Sequence, residues 1–403
     1  MTDKPTAAPE MPSASPTNTQ GTRRGIASVA RSLAAQAWSL LAMPLLAIVL
    51  ALIVGAIVII LSSSLAPGAS FDVTLPFRAY QALLQGSLGS PDGRVTTLVE
   101  AAPLILAGLG VGLGFKAGLF NIGAQGQFLV GAVFAVAAAL LVRDSDPLVA
   151  IPFAVIVGFI AGALWGFIPG ILKATSGAHE VVTTIMLNFV ALALVSWLIV
   201  GPLHQVGSPQ PVTPDVGNAA LPIFIGRDGH IGIILAFLAV PVMWFLLYRT
   251  TLGFEIRAAG ANQDAARYAG MKTRRLIVLT MSLSGALIGL AGGVTLLGVV
   301  HQTPFGYDTA IGFDAITVAL LARSNPIAVL FSGLLLGAMR AGGPVMQTKA
   351  GVPSDLVDAL EAIILLFIVI NFLRRYLARR RAGGIPPEFE TVPAGPYSVE
   401  AAQ

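Results

Sequence analysis

Long apolar runs alternate with short polar punctuation over most of this chain. Runs of about 20 residues recur at roughly 39–62, 95–114, 121–142, 148–171, 180–201, 231–248, 276–299, 310–322, 326–346 and 356–373. That length crosses roughly 30 Å of hydrocarbon at 1.5 Å per residue. The ten-residue alternating segments of membrane barrels are not seen. The pattern predicts an all-α polytopic membrane protein of about ten transmembrane helices, the eighth run being short for a full crossing.

Lysine and arginine set the orientation, because basic loops resist translocation. With the N-terminus inside, Arg78, Arg94, Arg143, Arg227, Arg340 and Lys349 are the only six of 24 basic residues on or near the outer side. Both ends are therefore expected in the cytoplasm. Residues 1–30 and 381–403, rich in Pro, Ser, Thr and Ala or in Pro and Gly, read as disordered cytoplasmic tails flanking a membrane domain at 31–380.

Composition agrees with this reading. The chain is 55% hydrophobic and 11% charged, with a mean hydropathy of +0.82, against roughly 25% charged residues in soluble domains. The net charge of +4 suits loops facing an anionic leaflet and does not imply nucleic acid. Cysteine is absent, which excludes a disulfide framework, a thiol nucleophile and a cysteine metal site. No Walker pattern is present, so ATP hydrolysis by that route is excluded. The four histidines, His179, His204, His230 and His301, are scattered without HExxH spacing, and a metal site is not expected.

Two places interrupt the apolar pattern. In "FKAGLFNIGAQGQFLVG", Phe115–Gly131, glycines and amides stand where continuous helix is the simpler solution. Irregular backbone at membrane depth needs protein or a water-filled cavity to satisfy its amides, and broken helices in transporters often mark the substrate route. Asn121, Gln125 and Gln127 offer donors and acceptors that suit a neutral hydroxylated solute. The alternative is a glycine-rich turn at the inner surface with Lys116 reaching the headgroups. The second interruption is "VVHQTPFGYDTAIGFD", Val299–Asp314, on the outer side.

Other polar groups sit within the runs. Glu180, Thr184 and Asn188 share one helical stripe, facing either the pathway or a neighbouring helix. Asp314, Arg340 and Glu361 lie in the outer thirds of their helices, and such charges are costly alone. They are expected to approach one another, as an ion cluster or as solute contacts. The outer segment 202–230, full of Pro and Gly, reads as an ordered loop that caps helix ends or receives a partner.

The longest inner loop, "TTLGFEIRAAGANQDAARYAGMKTRR", predicts a short helix. Asn262 caps it, Asp264 complements its positive end and Gly270 stops it. Small residues Ala265, Ala266 and Ala269 are expected on its surface, to fit a groove in another protein; a solvated connecting helix is the alternative.

Asp264-Ala265-Ala266 followed by Gly270 resembles the cytoplasmic EAA loop of ABC importer permeases, with Asp in place of Glu. "AAPLILAGLGVGLGFKAGLFNIGAQGQFLVGA", "HEVVTTIMLNFVA", "GFEIRAAGANQDAARYAGM" and "GFDAITVALLARSNPIAVLFSGLLLGAMRAGG" together resemble the permease subunits of nucleoside and simple-sugar ABC importers that work with a basic-membrane-protein-type binding lipoprotein. The likeness runs from about 95 to 373. It implies a translocation pathway formed with a second permease subunit, identical or homologous, in a bacterial cytoplasmic (inner) membrane. It further implies an extracytoplasmic solute-binding lipoprotein, and a separate ABC ATPase that carries ATP and Mg, so this chain holds no cofactor and is no enzyme. Carried over by position, Gly260, Asn262, Asp264, Ala265, Ala266, Tyr268 and Gly270 would dock the ATPase. Arg257 and Arg267 are further candidates, or lipid-phosphate contacts. Nucleosides are the expected cargo and simple sugars such as ribose or galactose the alternative. An ion-coupled transporter would place more acidic residues near the midplane, and a membrane enzyme would need a nucleophile, acid–base pair or metal cluster that the sequence lacks.

Overall fold

The computed structural model describes residues 45–61 and 72–381. The expected tail 1–30, all but Arg381 of the tail 381–403, and the start of the first run lie outside the described residues. Helices stand at each of the ten positions the hydropathy pattern marks: α1 (Leu45–Leu61), α3 (Pro91–Lys116), α4 (Ala124–Leu141), α5 (Pro147–Ser176), α6 (Glu180–Val200), α7 (Gly232–Arg249), α10 (Thr273–Thr295), α11 (Ile311–Leu321), α12 (Pro326–Ala350) and α13 (Asp355–Arg381). Seven of these, α3, α4, α5, α6, α7, α10 with its continuation to Val300, and α12, are long and apolar enough to cross a membrane. Helices α1 and α11 are apolar but shorter. The chain is a mostly helical, multi-pass membrane protein.

Two helices were not anticipated as such. Helix α2 (Leu75–Ser87) lies in the segment before α3, and α8 (Thr251–Ala261) precedes the expected short helix α9 (Gln263–Tyr268). Both α2 and α8 carry a legible signal: Ala79, Ala82, Leu83 and Gly86 are buried on one face of α2, and Gly253, Ile256 and Ala259 on one face of α8. These are helical spacings, hidden because each segment also contains the charges and glycines of a loop.

Most of the α3, α4 and α10 spans is buried (89, 78 and 72%), whereas α5, α6 and α7 bury 22, 28 and 33%. The first three form the core and the others an outer layer. Lipid tails are as apolar as leucine, so close backbone approach does the work of association. Gly158, Gly162 and Gly166 repeat every fourth residue along α5, and Gly285 and Gly289 do so along α10. A Cβ placed on Gly162 would sit 2.3 Å from Gly285 O, and one on Gly131 of α4 would sit 2.2 Å from Gly289 Cα. Three helices thus touch through bare backbone.

The segment between α6 and α7 is ordered, with a two-stranded hairpin, β1 (Ile223–Ile225) and β2 (Gly229–His230). It is sewn to the stretch after α10: Thr213 N–H donates to Thr303 O (3.1 Å), Val216 N–H to His301 O (3.1 Å), Phe305 N–H to Pro211 O (2.8 Å) and Leu221 N–H to Leu297 O (2.8 Å). The capping alternative foreseen for this loop matches that geometry.

Candidate functional site

Helix α3 ends at Lys116, and Gly118 adopts a left-handed conformation (φ 70°) that a side chain would strain. Leu119 N–H then donates to Gly114 O (3.0 Å), turning residues 119–123 back alongside α3. Asn121 Nδ2 donates to Gln127 Oε1 (2.9 Å) and to Ser284 Oγ (2.9 Å), and Gln127 Nε2 returns a bond to Asn121 Oδ1 (3.2 Å). Ser284 Oγ donates to Gly110 O (2.7 Å). Gly110 lies six residues before the end of α3, roughly 9 Å along it, so this knot stands inside the bundle and α4 starts at depth.

A helix starting at depth exposes N–H groups that water cannot reach. Helices α3, α5 and α12 start with their own caps, Ser90, Asp146 and Asn325, whereas α4 and α11 have no side-chain cap at their own N-cap residues, Gly123 and Ala310. Neighbours supply the missing acceptors. Asn188 Oδ1 on α6 accepts from Gly126 N–H (2.8 Å), and its Nδ2 donates to Ile122 O (3.0 Å). Gln125 Oε1 accepts from Gly312 N–H in the first turn of α11 (2.9 Å). Its Nε2 donates to Asp308 Oδ1 (2.6 Å) and to Thr309 O. One glutamine therefore ties the first interruption to the second. The two stretches expected on opposite sides of the membrane meet, because α11 is only 11 residues long.

Glu180 pairs with Lys173 (2.6 Å), and Thr184 Oγ1 donates to Glu180 O (2.7 Å) while packing on Gly123. Asn121, Gln125, Gln127, Glu180, Thr184 and Asn188 are thus all buried and engaged within the chain. These side chains hold broken backbone, which is what the low dielectric around them demands.

At the start of α11, Arg340 pairs with Asp314, and its Nε lies 3.7 Å from Glu361 Oε1. Glu361 is 2% exposed. Two further carboxylates act on this group and were not foreseen, Glu100 and Asp358. Charge alone would have suggested Glu100, which falls within the apolar face of α3.

At the α8–α9 end, Asn262 Oδ1 accepts from Ala265 N–H (2.9 Å), and Gly270 terminates the element at φ 83°. Asp264 and Arg267 are exposed neighbours 3.8 Å apart, and Tyr268 is 94% exposed. Ala266 corrects the expectation: it is 3% exposed and faces its own chain, since the helix needs one anchor and that is its inward position. Gly260 is likewise internal, because a Cβ there would lie 2.1 Å from Lys116 O. Helix α8 therefore packs directly on the break after α3. Arg257 stacks over the Tyr248 ring at 5.1 Å and donates to Gly253 O.

His230 in β2 is 1% exposed, and neither ring nitrogen has a hydrogen-bond partner. Burial holds its pKa down at about 4, with His301 adding to the effect. Its ring packs against Gly298 in the π-helical turn Leu296–Val300 that ends α10.

Comparison with known proteins places this architecture. Residues 93–369 match the family described as the branched-chain amino acid transport system permease component. The guanosine ABC transporter permease protein NupP of Bacillus subtilis is 38% identical over 350 residues, covering 84% of this chain and 95% of that protein. The nucleoside ABC transporter permease protein NupB of Lactococcus lactis is 37% identical, covering 82% and 91%. The glucose ABC transporter permease protein TsgB13 of Haloferax volcanii is 34% identical, covering 84% and 90%. The chain belongs to this family of ABC transporter permeases, as a transport subunit and not an enzyme.

Proposed function

We propose that the chain is the membrane-spanning subunit of an ATP-driven importer for nucleosides. The observation that carries this reading is the 37–38% identity, over more than four-fifths of the chain, to two permeases named for guanosine and nucleoside transport. It crosses a bacterial cytoplasmic membrane ten times, with both ends and the α8–α9 loop in the cytoplasm. Helix α9 is the coupling helix, its exposed Asp264, Ala265 and Tyr268 meeting an ABC ATPase that binds ATP and Mg. A second permease subunit completes the pathway, and an extracytoplasmic lipoprotein delivers the solute. The Asn121–Gln127 knot and the Glu180–Asn188 stripe form the frame of that pathway, with Gln125 as its clip. The Asp314–Arg340–Glu361 group fixes α11.

Motion of the ATPases reaches the frame by a short route, since Gly260 of α8 abuts the backbone at Lys116 and Gly118. A sugar cargo is the second reading, favoured by the glucose permease relative. The test is to co-purify the chain with its partner subunits and measure ATP hydrolysis with binding lipoprotein loaded with guanosine, uridine, ribose or glucose. Stimulation by nucleosides alone is expected; stimulation by sugars alone would replace the cargo, and hydrolysis indifferent to every solute would reject the importer.

A further inference from the structure

Asp308 is exposed, and no ion pair among the described residues involves it. Yet it is not a surface residue in the ordinary sense. Its carboxylate accepts from Gln125 (2.6 Å), the second residue of α4, which stands sixteen residues, roughly 24 Å, from the outer end of that helix. On the other side, Val318 of α11 packs on Gly108 of α3, and Asp308 precedes Val318 by ten residues. An exposed carboxylate at such depth cannot face hydrocarbon without a cost of several kcal/mol. It must face water or a polar guest.

Phenylalanines stand on either side of it in the sequence. Phe305 is 56% exposed and Phe313 is 47% exposed, while most of the remaining α11 side chains are buried. Phe313 is the one side chain in the first turn of α11 that points out of the bundle.

We propose that Phe305, Asp308 and Phe313 form a contact site for the solute in transit, in which the rings receive a flat heterocyclic base and the Asp308 carboxylate accepts hydrogen bonds from a ribose diol. This deepens the nucleoside reading above and rests on it. Each part follows from chemistry. Base stacking on an aromatic ring is sequence-tolerant because every base has a π face. A carboxylate is acceptor-only, so it takes the paired hydroxyl donors of a ribose diol. The same negative charge repels phosphate, so nucleotides should be refused where nucleosides pass. The bond from Gln125 leaves the second carboxylate oxygen available and fixes the orientation of the first.

The test uses the complete transporter in proteoliposomes, with saturating binding lipoprotein loaded with guanosine or with 2′,3′-dideoxyguanosine. The wild type should move guanosine faster. Asp308→Asn should slow guanosine roughly ten- to a hundredfold, the scale of a hydrogen bond to a charged group, and leave the dideoxy rate unchanged, so that the preference disappears. Asp308→Glu should recover part of it, and Phe313→Ala should slow both solutes together. Wild-type uptake of guanosine with unchanged preference in Asp308→Asn overturns this inference alone. Disassembly of the Asp308→Asn complex also overturns it, making Asp308 a subunit contact. A wild-type transporter that moves glucose but no nucleoside rejects the cargo reading itself.

Discussion

Helices α5 and α11 are both apolar, yet they are held by different physics. The 30 residues of α5 run as one helix through Pro152 and Pro169, capped at its start by its own Asp146, and it meets α10 through a glycine face. Its outer face carries Ile156, Ile160 and Leu164, all about half exposed or more. The 11 residues of α11 begin inside the bundle, where their first amides have no water. They depend on Gln125 from α4 and on a charge group shared with α12 and α13. A continuous span needs shape, whereas an interrupted one needs specific polar partners, and only the second kind can border an aqueous route.

The largest effect is expected on the α5 side. Gly289→Leu would drive a side chain into Gly158 O and Gly162 Cα, 2.6 and 2.7 Å from its Cβ. Backbone cannot give way as a side chain does, so the cost should exceed about 3 kcal/mol. Monodisperse protein should be lost on size-exclusion chromatography, with Gly289→Ala intermediate; a well-folded leucine variant would deny that the seam matters.

On the α11 side, Arg340→Leu would leave Asp314 and Glu361 without their cation. A destabilisation of about 3–5 kcal/mol is expected, read as a lowered Tm in detergent. Replacing Glu361 as well, by Gln, should recover part of the loss.

Where the seam of α10 gives way to its π turn, His230 makes stability depend on pH. The folded chain holds it neutral down to about pH 4, against an ordinary value of 6.5. Between those values the unfolded chain binds the extra proton. Its contribution is therefore complete above about pH 6.5 and is lost as pH falls toward 4, roughly 3 kcal/mol in all. The Tm should drop between pH 7 and pH 5, and His230→Leu should flatten that slope.

The smallest effect concerns a single cap. Asn188→Leu leaves Gly126 N–H unsatisfied and should cost about 1–3 kcal/mol, visible as faster hydrogen exchange at the start of α4. Unchanged exchange there would mean that something other than Asn188 caps that helix.

The contrast also explains what the sequence disclosed. Continuous spans announce themselves by length, so their positions were legible within a few residues. The interruptions were legible as places, through Gly118 and the amides around it. Their roles were not, because a glutamine that reads a solute and one that caps a distant helix look alike until Gly312 is seen beside Gln125. Asn262 and Gly270 were legible because caps and stops act locally. The inward turn of Ala266 was not, since it is set by packing, and the α5–α10 glycine seam was overlooked because glycines in apolar runs read as neutral filler.

The absence of cysteine allows the central claim to be tested directly, namely that the stretch leading into α11 borders water through Asp308 and Phe313 while continuous α5 borders lipid. Asp308→Cys, Phe313→Cys and Leu164→Cys, each in the assembled transporter, should be treated with a charged, membrane-impermeant methanethiosulfonate. Positions 308 and 313 should react and be protected during guanosine transport, and position 164 should stay unlabelled. Reaction at 164 with silence at 308 and 313 would contradict the account.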